Sequence, residues 1–344
     1  MRGKEILGRL VHGEQLNKEE AYYLMLHIVE EAFTPVQLGA ILAMLRLRKE
    51  TGEELSGFVR AIRERAIPFA VSPSVEVVDN CGTGGDGTGT FNISTASALL
   101  AVGAGVKVVK HGNRAVSSSS GSADFLEHLG IPIEASPQTM RALFADTGFA
   151  FLYAPLYHPA MRVVQGVRKD LGIRTVFNLL GPLVNPCRVH YKLVGVCEPE
   201  LLFPVGEALR ELGVRRGLVV WGEPGMDEVS LVGKSEMVLV TEGKLEAFSF
   251  HPQEVGLRTC TLSELRGGSP GENATLFFEI LQGRLKGPLR DAVVLNAAFL
   301  LWLCGRTSSV SQALQFLEDV LTSGRALRAV EAIIDMARVA GVAS

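Results

Sequence analysis

The sequence predicts an α/β protein in two parts, a small all-helical domain and a larger α/β domain with a mostly parallel central sheet and flanking helices. Three observations carry this. Residues 1–67 repeat apolar side chains at helical spacing, β-branched runs alternate with helical stretches from Val75 onward, and the pattern turns helical again from Glu272. The helical domain is set at residues 1–70 and the α/β domain at 71–344.

In the first part, Ala21, Leu24, Met25, Ile28, Val29 and Ala32 fall on one helix face, behind Asn17 and Glu20, which have the form of a capping box. Thr34 and Pro35 offer an N-cap followed by proline at the first helical position, and Thr51 with Glu54 offers a second box. Three or four short helices follow. The pattern breaks at Ile67-Pro68, and residues 75–78 read as a buried strand that runs into a glycine-rich loop. Further strands are expected at 106–109, 149–153, 192–196 and 218–221, with a helix at 200–212 between the last two. Residues 237–241 and 244–250, joined through Glu242-Gly243, read as a hairpin, and 291–304 and 310–321 as helices. Between residues 159 and 186 a charged helix, 161–171, precedes the turn-rich "FNLLGPLVNP". This segment either packs on the sheet or returns to the N-terminal helices.

Composition narrows the function classes. At 344 residues, 47% hydrophobic and 21% charged, the chain is an ordinary soluble globular protein. Lys plus Arg, 34, nearly balances Asp plus Glu, 37, so the global basic excess of a nucleic-acid binder is missing and no nucleic-acid partner is expected. Cys81, Cys187, Cys197, Cys260 and Cys304 are scattered and never spaced as C-x-x-C. That usage fits free thiols in a reducing compartment, the cytoplasm, better than a disulfide or zinc framework. The N-terminus lacks the apolar stretch of a secretory signal. The longest apolar run, 292–304, is broken by Asn296 and falls short of the ~20 residues that span a bilayer, so no membrane association is expected.

Two loops hold the candidate chemistry. "DNCGTGGDGTGTFNIST" places Gly82, Gly84, Gly85, Gly87 and Gly89 between a strand and a helix starting near Ser94. Glycines let backbone N–H groups turn toward one point and the helix N-terminus adds partial positive charge, which suits a phosphate or diphosphate. The spacing is neither the Rossmann G-x-G-x-x-G nor a P-loop. "KHGNRAVSSSSGSADFLEHLG" follows the next strand, so in a parallel sheet it opens at the same carboxyl edge. Lys110 and Arg114 can neutralise phosphate charge, and Ser117, Ser118 and Ser122 can donate to its oxygens. In "GMDEVS" the adjacent Asp227 and Glu228 are weak alone but suit Mg²⁺ on a bound diphosphate. Arg168 and Arg174 can grip a substrate carboxylate.

Taken in order, "GTGGDGTGTFNIST", "KHGNRAVSSSSGSAD", "HPAM", "VRKDLGIRTVFNLLGPLVNP" and "GMDEVS" closely resemble the anthranilate phosphoribosyltransferases of tryptophan biosynthesis, within the wider nucleoside phosphorylase and phosphoribosyltransferase fold family. The resemblance covers nearly the whole chain. It implies a homodimer formed through the helical domain, with part of 159–186 joined to that domain. The implied reaction joins anthranilate to 5-phosphoribosyl 1-diphosphate and releases diphosphate, with Mg²⁺ as cofactor. Position by position, it assigns Gly82, Gly85, Asp86, Thr90, Asn92, Ile93, Ser94 and Thr95 to the phosphoribosyl diphosphate. Lys110, His111, Gly112, Asn113, Arg114, Ala115, Val116, Ser117, Ser118 and Ser122 would line the same ligand. Ser94, Asp227 and Glu228 match the Mg²⁺ positions, while Gly82, His111, Asn113, His158 and Arg168 match the anthranilate side. The chain departs from the pattern at Gly166, where proline is frequent, and at Asp170, where glutamate is.

The implied mechanism needs no general base, because an aromatic amine is uncharged at neutral pH and already nucleophilic. Stabilising the departing diphosphate carries the reaction. A pyrimidine nucleoside phosphorylase of the same fold would carry a K-x-S-G-R-G-L-G pattern where this chain reads "KHGNRAVSSSSGSAD". A related-fold nucleic-acid-binding protein would use the same basic loops on backbone phosphates but calls for a net positive charge.

Overall fold

The computed structural model describes residues 3–115 and 119–342; Val116, Ser117 and Ser118 lie outside the described residues. The chain opens with α1 (Gly3–Val11), α2 (Lys18–Val29), α3 (Pro35–Arg48) and α4 (Gly52–Glu64). The capping boxes at Asn17/Glu20 and Thr51/Glu54 form as the sequence predicts, and Thr34 caps α3 with Gln37 as its reciprocal partner. Glu54 does more than close its box. Fully buried, its carboxylate accepts from the Leu16 amide at 2.7 Å and from Arg48 at 2.6 Å, which ties the α1–α2 connection, α3 and α4 at one point.

The second part runs β1 (Val78–Gly82), α5 (Ile93–Gly103), β2 (Val108–Gly112), α6 (Ser122–His128), α7 (Pro137–Thr147), β3 (Phe149–Tyr153) and α8 (Ala154–Tyr157). A 3₁₀ turn at Pro159–Val164 leads into α9 (Gln165–Leu171) and α10 (Val176–Leu183), followed by β4 (Tyr191–Gly195), α11 (Leu202–Glu211) and β5 (Arg216–Gly222). The hairpin β6 (Ser235–Thr241) and β7 (Lys244–Phe250) turns through Glu242 and Gly243, both at positive φ, the backbone that a two-residue turn between twisted strands requires. Helices α12 (Pro270–Leu281), α13 (Pro288–Leu303), α14 (Val310–Thr322) and α15 (Arg325–Val342) complete the chain.

One seven-stranded sheet results, in the order β3-β2-β1-β4-β5-β6-β7, parallel from β1 to β5 and antiparallel in the final hairpin. The chain winds outward from β1 in one direction and restarts at β4 in the other. The crevice between the carboxyl ends of β1 and β4 is therefore the place where such sheets bind ligands. Each face of the sheet covers its own core. One core packs α5, α13 and α15 against the sheet; the other joins α11 to the N-terminal helices and takes in Val164, Val176, Phe177, Leu180 and Leu183. Helix α9 lies on α3, while α10 touches α3, α4 and the first two strands.

Strands β1 and β2 begin two to three residues later than the β-branched runs at 75–78 and 106–109 suggest. They also run on past those apolar stretches, through a set of polar groups buried within the ladder. Asp79 and Lys192 are both fully buried and form an ion pair of 2.6 Å, in a register where Asp79 stands beside Lys192. Asn185 donates to the same carboxylate at 2.9 Å, and the His111 amide donates to its other oxygen at 3.2 Å. Burial opposes the charge on Asp79, but Lys192 and Lys110 outweigh it and hold the carboxyl below its ordinary value. Among the described residues no helix is long and apolar enough to cross a membrane.

Candidate active site

Gly84, Gly85, Gly87 and Gly89 in the loop after β1 all have φ between +63° and +71°, a region open to glycine at little cost. That backbone folds the loop back on the sheet's carboxyl edge, where the Gly84 amide donates to Asp227 at 2.6 Å and the Gly84 carbonyl accepts from Arg174 at 2.6 Å. Asp86 accepts from the Thr88 hydroxyl at 2.6 Å, and Thr90 pairs with Arg266 in an isolated antiparallel bridge. The loop ends at Asn92, the N-cap of α5, with buried Ile93 and Thr95 and half-buried Ser94 in the first turn.

The second loop stands beside it. Lys110 is buried, donates to the Asn80 carbonyl at 2.5 Å and reaches the Ser94 hydroxyl at 3.5 Å, and burial lowers its pKa. Asn113 accepts from the Ser122 hydroxyl through its carbonyl at 3.1 Å. Gly112 sits so close to Ser122 and Phe151 that a side chain there would overlap both. Arg114 turns to Asp124 at 3.0 Å and Glu127 at 2.8 Å, and the other Asp124 oxygen accepts from the Ala115 and Gly121 amides. Asp124 thus closes the base of the serine loop. The two loops are joined directly, since the Ser120 hydroxyl donates to the Asn92 side chain at 2.8 Å and the Asn92 amide donates back to the Ser120 carbonyl at 3.0 Å.

Three carboxylates meet at this rim. Asp86, Asp227 and Glu228 offer oxygens that all lie within 4.8 Å of one another. Burial, then the neighbouring Asp86, pushes Asp227 up to about 6; burial and its two acidic neighbours raise Glu228 as well. One Glu228 oxygen is buried with no hydrogen-bond partner. The sequence pairs Asp227 and Glu228 as metal positions; the structure adds Asp86 from the glycine loop, which no local pattern in the chain announces. The cluster depends on Gly82, where a Cβ would overlap the Asp227 carboxylate. Gly82→Ala is expected to displace Asp227 and cost activity about a hundredfold, measured as kcat/KM with the fold checked by circular dichroism; wild-type kinetics would show that Asp227 need not sit where it does.

His111 and His158 are buried in T-shaped contact with ring centroids 5.1 Å apart, and His111 Nδ1 lies 3.1 Å from the Gly181 carbonyl. Burial drives His111 down to about 4, and burial with the neighbouring His111 drives His158 down to about 3. Both rings are therefore neutral at pH 7. His111 Nε2 and both nitrogens of His158 lack hydrogen-bond partners. Arg168 on α9 lies 5.6 Å from the Phe177 ring, forms no ion pair among the described residues, and has its pKa lowered by burial. Arg174, proposed from sequence beside Arg168 as a carboxylate grip, instead braces the glycine loop through Gly84, with one buried nitrogen unpartnered.

The chain matches two family models, "Glycosyl transferase family, helical bundle domain" over residues 4–66 and "Glycosyl transferase family, a/b domain" over residues 74–327. A curated anthranilate phosphoribosyltransferase from Petrotoga mobilis is 42% identical over 329 residues, 96% of this chain and 95% of that protein. The crystal structure of an anthranilate phosphoribosyltransferase from Thermus thermophilus superposes with a TM-score of 0.91 at 44% identity, covering 96% of this chain and 99% of that one. The Saccharomyces cerevisiae enzyme, solved in complex with PRPP and Mg, has a TM-score of 0.89 at 30% identity and covers 98% of both chains. With nearly the whole length matched, the helical bundle included, the chain belongs to the glycosyl transferase family and, within it, to the anthranilate phosphoribosyltransferases.

Proposed function

We propose that this chain transfers the 5-phosphoribosyl group from 5-phosphoribosyl 1-diphosphate to the amine of anthranilate, releasing diphosphate. The observation that carries the reading is the meeting, at the β1/β4 crevice, of two loops rich in backbone donors with three carboxylates in one cluster. The Saccharomyces cerevisiae relative binds PRPP with Mg, and in another structure 4-fluoroanthranilate. The three clustered carboxylates, Asp227 and Glu228 among them with raised pKa, and the unpartnered Glu228 oxygen fit a divalent cation, and Asp86, Asp227 and Glu228, with Ser94, would hold it. Bound Mg²⁺ supplies charge neutralisation to the diphosphate oxygens.

The chain's own groups do the rest. The open amides in the first turn of α5 and the glycine-loop backbone donate to phosphate oxygens. Ser117 and Ser118, which lie outside the described residues, would add hydroxyl donors from the second loop. As the bond to ribose C1 breaks, negative charge grows on the departing oxygens and these fixed donors need no reorganisation to meet it. Neutral His111 and His158 present imidazole faces and unprotonated nitrogens to the aromatic substrate, while Arg168 meets its carboxylate. Holding the amine near C1 is the main demand, so no general base is assigned.

We assign residues 1–70, together with part of 159–186, to a helical unit, and 71–344 to the α/β unit. The helical unit is proposed as the homodimer contact. The outer surface of α3 supports this, with Val36 83% exposed and Leu47 86% exposed. The free cysteines accord with a cytoplasmic enzyme.

The direct test is the loss of anthranilate fluorescence in a mixture of enzyme, 5-phosphoribosyl 1-diphosphate and Mg²⁺, repeated with each component left out. Loss that requires all of them supports the reading; fluorescence that stays constant in the complete mixture overturns it. Arg168→Ala is expected to raise the anthranilate KM roughly ten- to hundredfold, the equivalent of about 1.5–3 kcal/mol for hydrogen bonds to a charged group, with the diphosphate substrate's KM unmoved. An unchanged anthranilate KM would remove Arg168 from the site.

A further inference from the structure

Asn92 is an N-cap that does not cap. Asparagine is among the preferred residues at this position because its side chain accepts from the second or third amide of the helix. Asn17, Thr34, Thr51 and Ser269 cap their helices this way, whereas the Asn92 side chain makes no cap hydrogen bond to α5. Its oxygen accepts instead from Asn273 at 2.8 Å and from the Ser120 hydroxyl at 2.8 Å, and its nitrogen donates to the Ser120 carbonyl at 3.0 Å.

Asn273 is placed for this. It is fully buried on the second turn of α12, 181 residues along the chain from Asn92, and its own oxygen accepts from the Gly268 amide at 2.8 Å. The strap that precedes α12 lies against both loops. The Phe91 amide donates to the Leu265 carbonyl at 2.9 Å, the Gly267 amide to the Gly89 carbonyl at 3.2 Å, and the Ser119 hydroxyl to the Gly268 carbonyl at 3.1 Å. Gly267 permits this approach, since a Cβ there would sit 2.8 Å from the Phe91 Cα and 3.0 Å from the Asn273 amide atoms. A chain of amides thus runs from the strap through Asn273 to Asn92 and on to the serine loop.

We infer that Asn273 is a positioning residue for phosphate binding: it holds the Asn92 side chain off its own helix, so that the Ser94 and Thr95 amides stay open to a substrate phosphate. Without that bond only Ser120 restrains the Asn92 side chain, and each excursion to the N-cap geometry that asparagine favours sets its oxygen against phosphate for the same two donors. This rests on the proposed phosphate site at α5, and it adds a residue 181 positions along the chain that acts through Asn92.

The test is a cycle of Asn273→Ala, Asn92→Ala and the double variant, read as KM for 5-phosphoribosyl 1-diphosphate at saturating anthranilate. Asn273→Ala is expected to raise that KM about tenfold with kcat and the anthranilate KM little changed. Added to Asn92→Ala, it is expected to change the KM by less than about twofold, because no side chain remains to compete. An equal rise in both backgrounds would make Asn273 a plain strut, and no rise in the first would give it no role; either result overturns the inference. Where the alanine variant fails to fold, Asn273→Asp, which keeps the acceptor for Gly268 and loses the donor to Asn92, carries the same cycle. Failure of the wild-type enzyme to bind the diphosphate substrate would fall on the phosphate site itself, a separate outcome.

Discussion

Asp227→Asn combined with Glu228→Gln is expected to lower kcat by about a thousandfold, since metal-assisted charge stabilisation contributes several kcal/mol and each 1.36 kcal/mol is a factor of ten. The same change is expected to stabilise the metal-free fold. Burial raises both carboxyls above their ordinary values, so the folded chain binds their protons more tightly than the unfolded chain does. The stability from this proton binding is complete below the ordinary carboxylate range near pH 4 and is lost as pH rises through about 6 for Asp227. At pH 7 the wild-type protein carries the cost of the buried Asp227 charge. Thermal unfolding in chelator should therefore show a higher Tm for the double variant at pH 7, a difference that narrows toward pH 4, and a Tm rise on adding Mg²⁺ for wild type alone. A lower Tm for the variant at pH 7 would mean that the carboxylates support the fold rather than strain it.

Asp79→Ala is expected to be the most destabilising single change outside the site, costing about 3–5 kcal/mol because it leaves Lys192 charged and buried without a counter-charge. The Asn185 side chain and the His111 amide lose their acceptor in the same step. Replacing both partners, Asp79→Leu with Lys192→Met, should recover most of the stability, because the largest part of the single-variant penalty is the orphaned charge. Urea denaturation of the three proteins decides this. A single variant within 1 kcal/mol of wild type would show that water or a local shift relieves Lys192.

These buried polar groups also mark where the sequence stops being transparent. Strand β3 and the hairpin arm β7 start and end where their residue patterns predict, and three predicted capping positions form, because capping chemistry and short aromatic-rich runs bounded by turn residues are local signals. β1 and β2 run further than expected because Asp79, Asn80, Lys110 and His111 occupy ladder positions that a hydrophobic pattern assigns to loop. A charged residue next to an apolar run, as in "VEVVDNC" and "YKLVGV", is the trace such a pair leaves, but nothing in the spacing matches one strand's aspartate to another's lysine 113 positions away. Both anion loops and the Asp227-Glu228 pair are legible because their composition has few other uses. Asp86 joins the carboxylates only through the left-handed turns of the glycine loop. Asn273 is invisible in sequence, a single asparagine in an amphipathic helix, and acquires meaning only when the strap folds over the loops. Arg174 likewise resembles a second carboxylate grip until its reach to Gly84 is seen.

Calorimetric titration of 5-phosphoribosyl 1-diphosphate into the wild-type enzyme, with Mg²⁺ and then with chelator, tests most directly whether both loops and the acidic trio serve one diphosphate. Saturable one-site binding that weakens at least tenfold in chelator, and likewise in the Asp227→Asn/Glu228→Gln variant with Mg²⁺ present, is the predicted result. Binding of equal strength under all three conditions would contradict it, because the carboxylates would then face something other than the departing group.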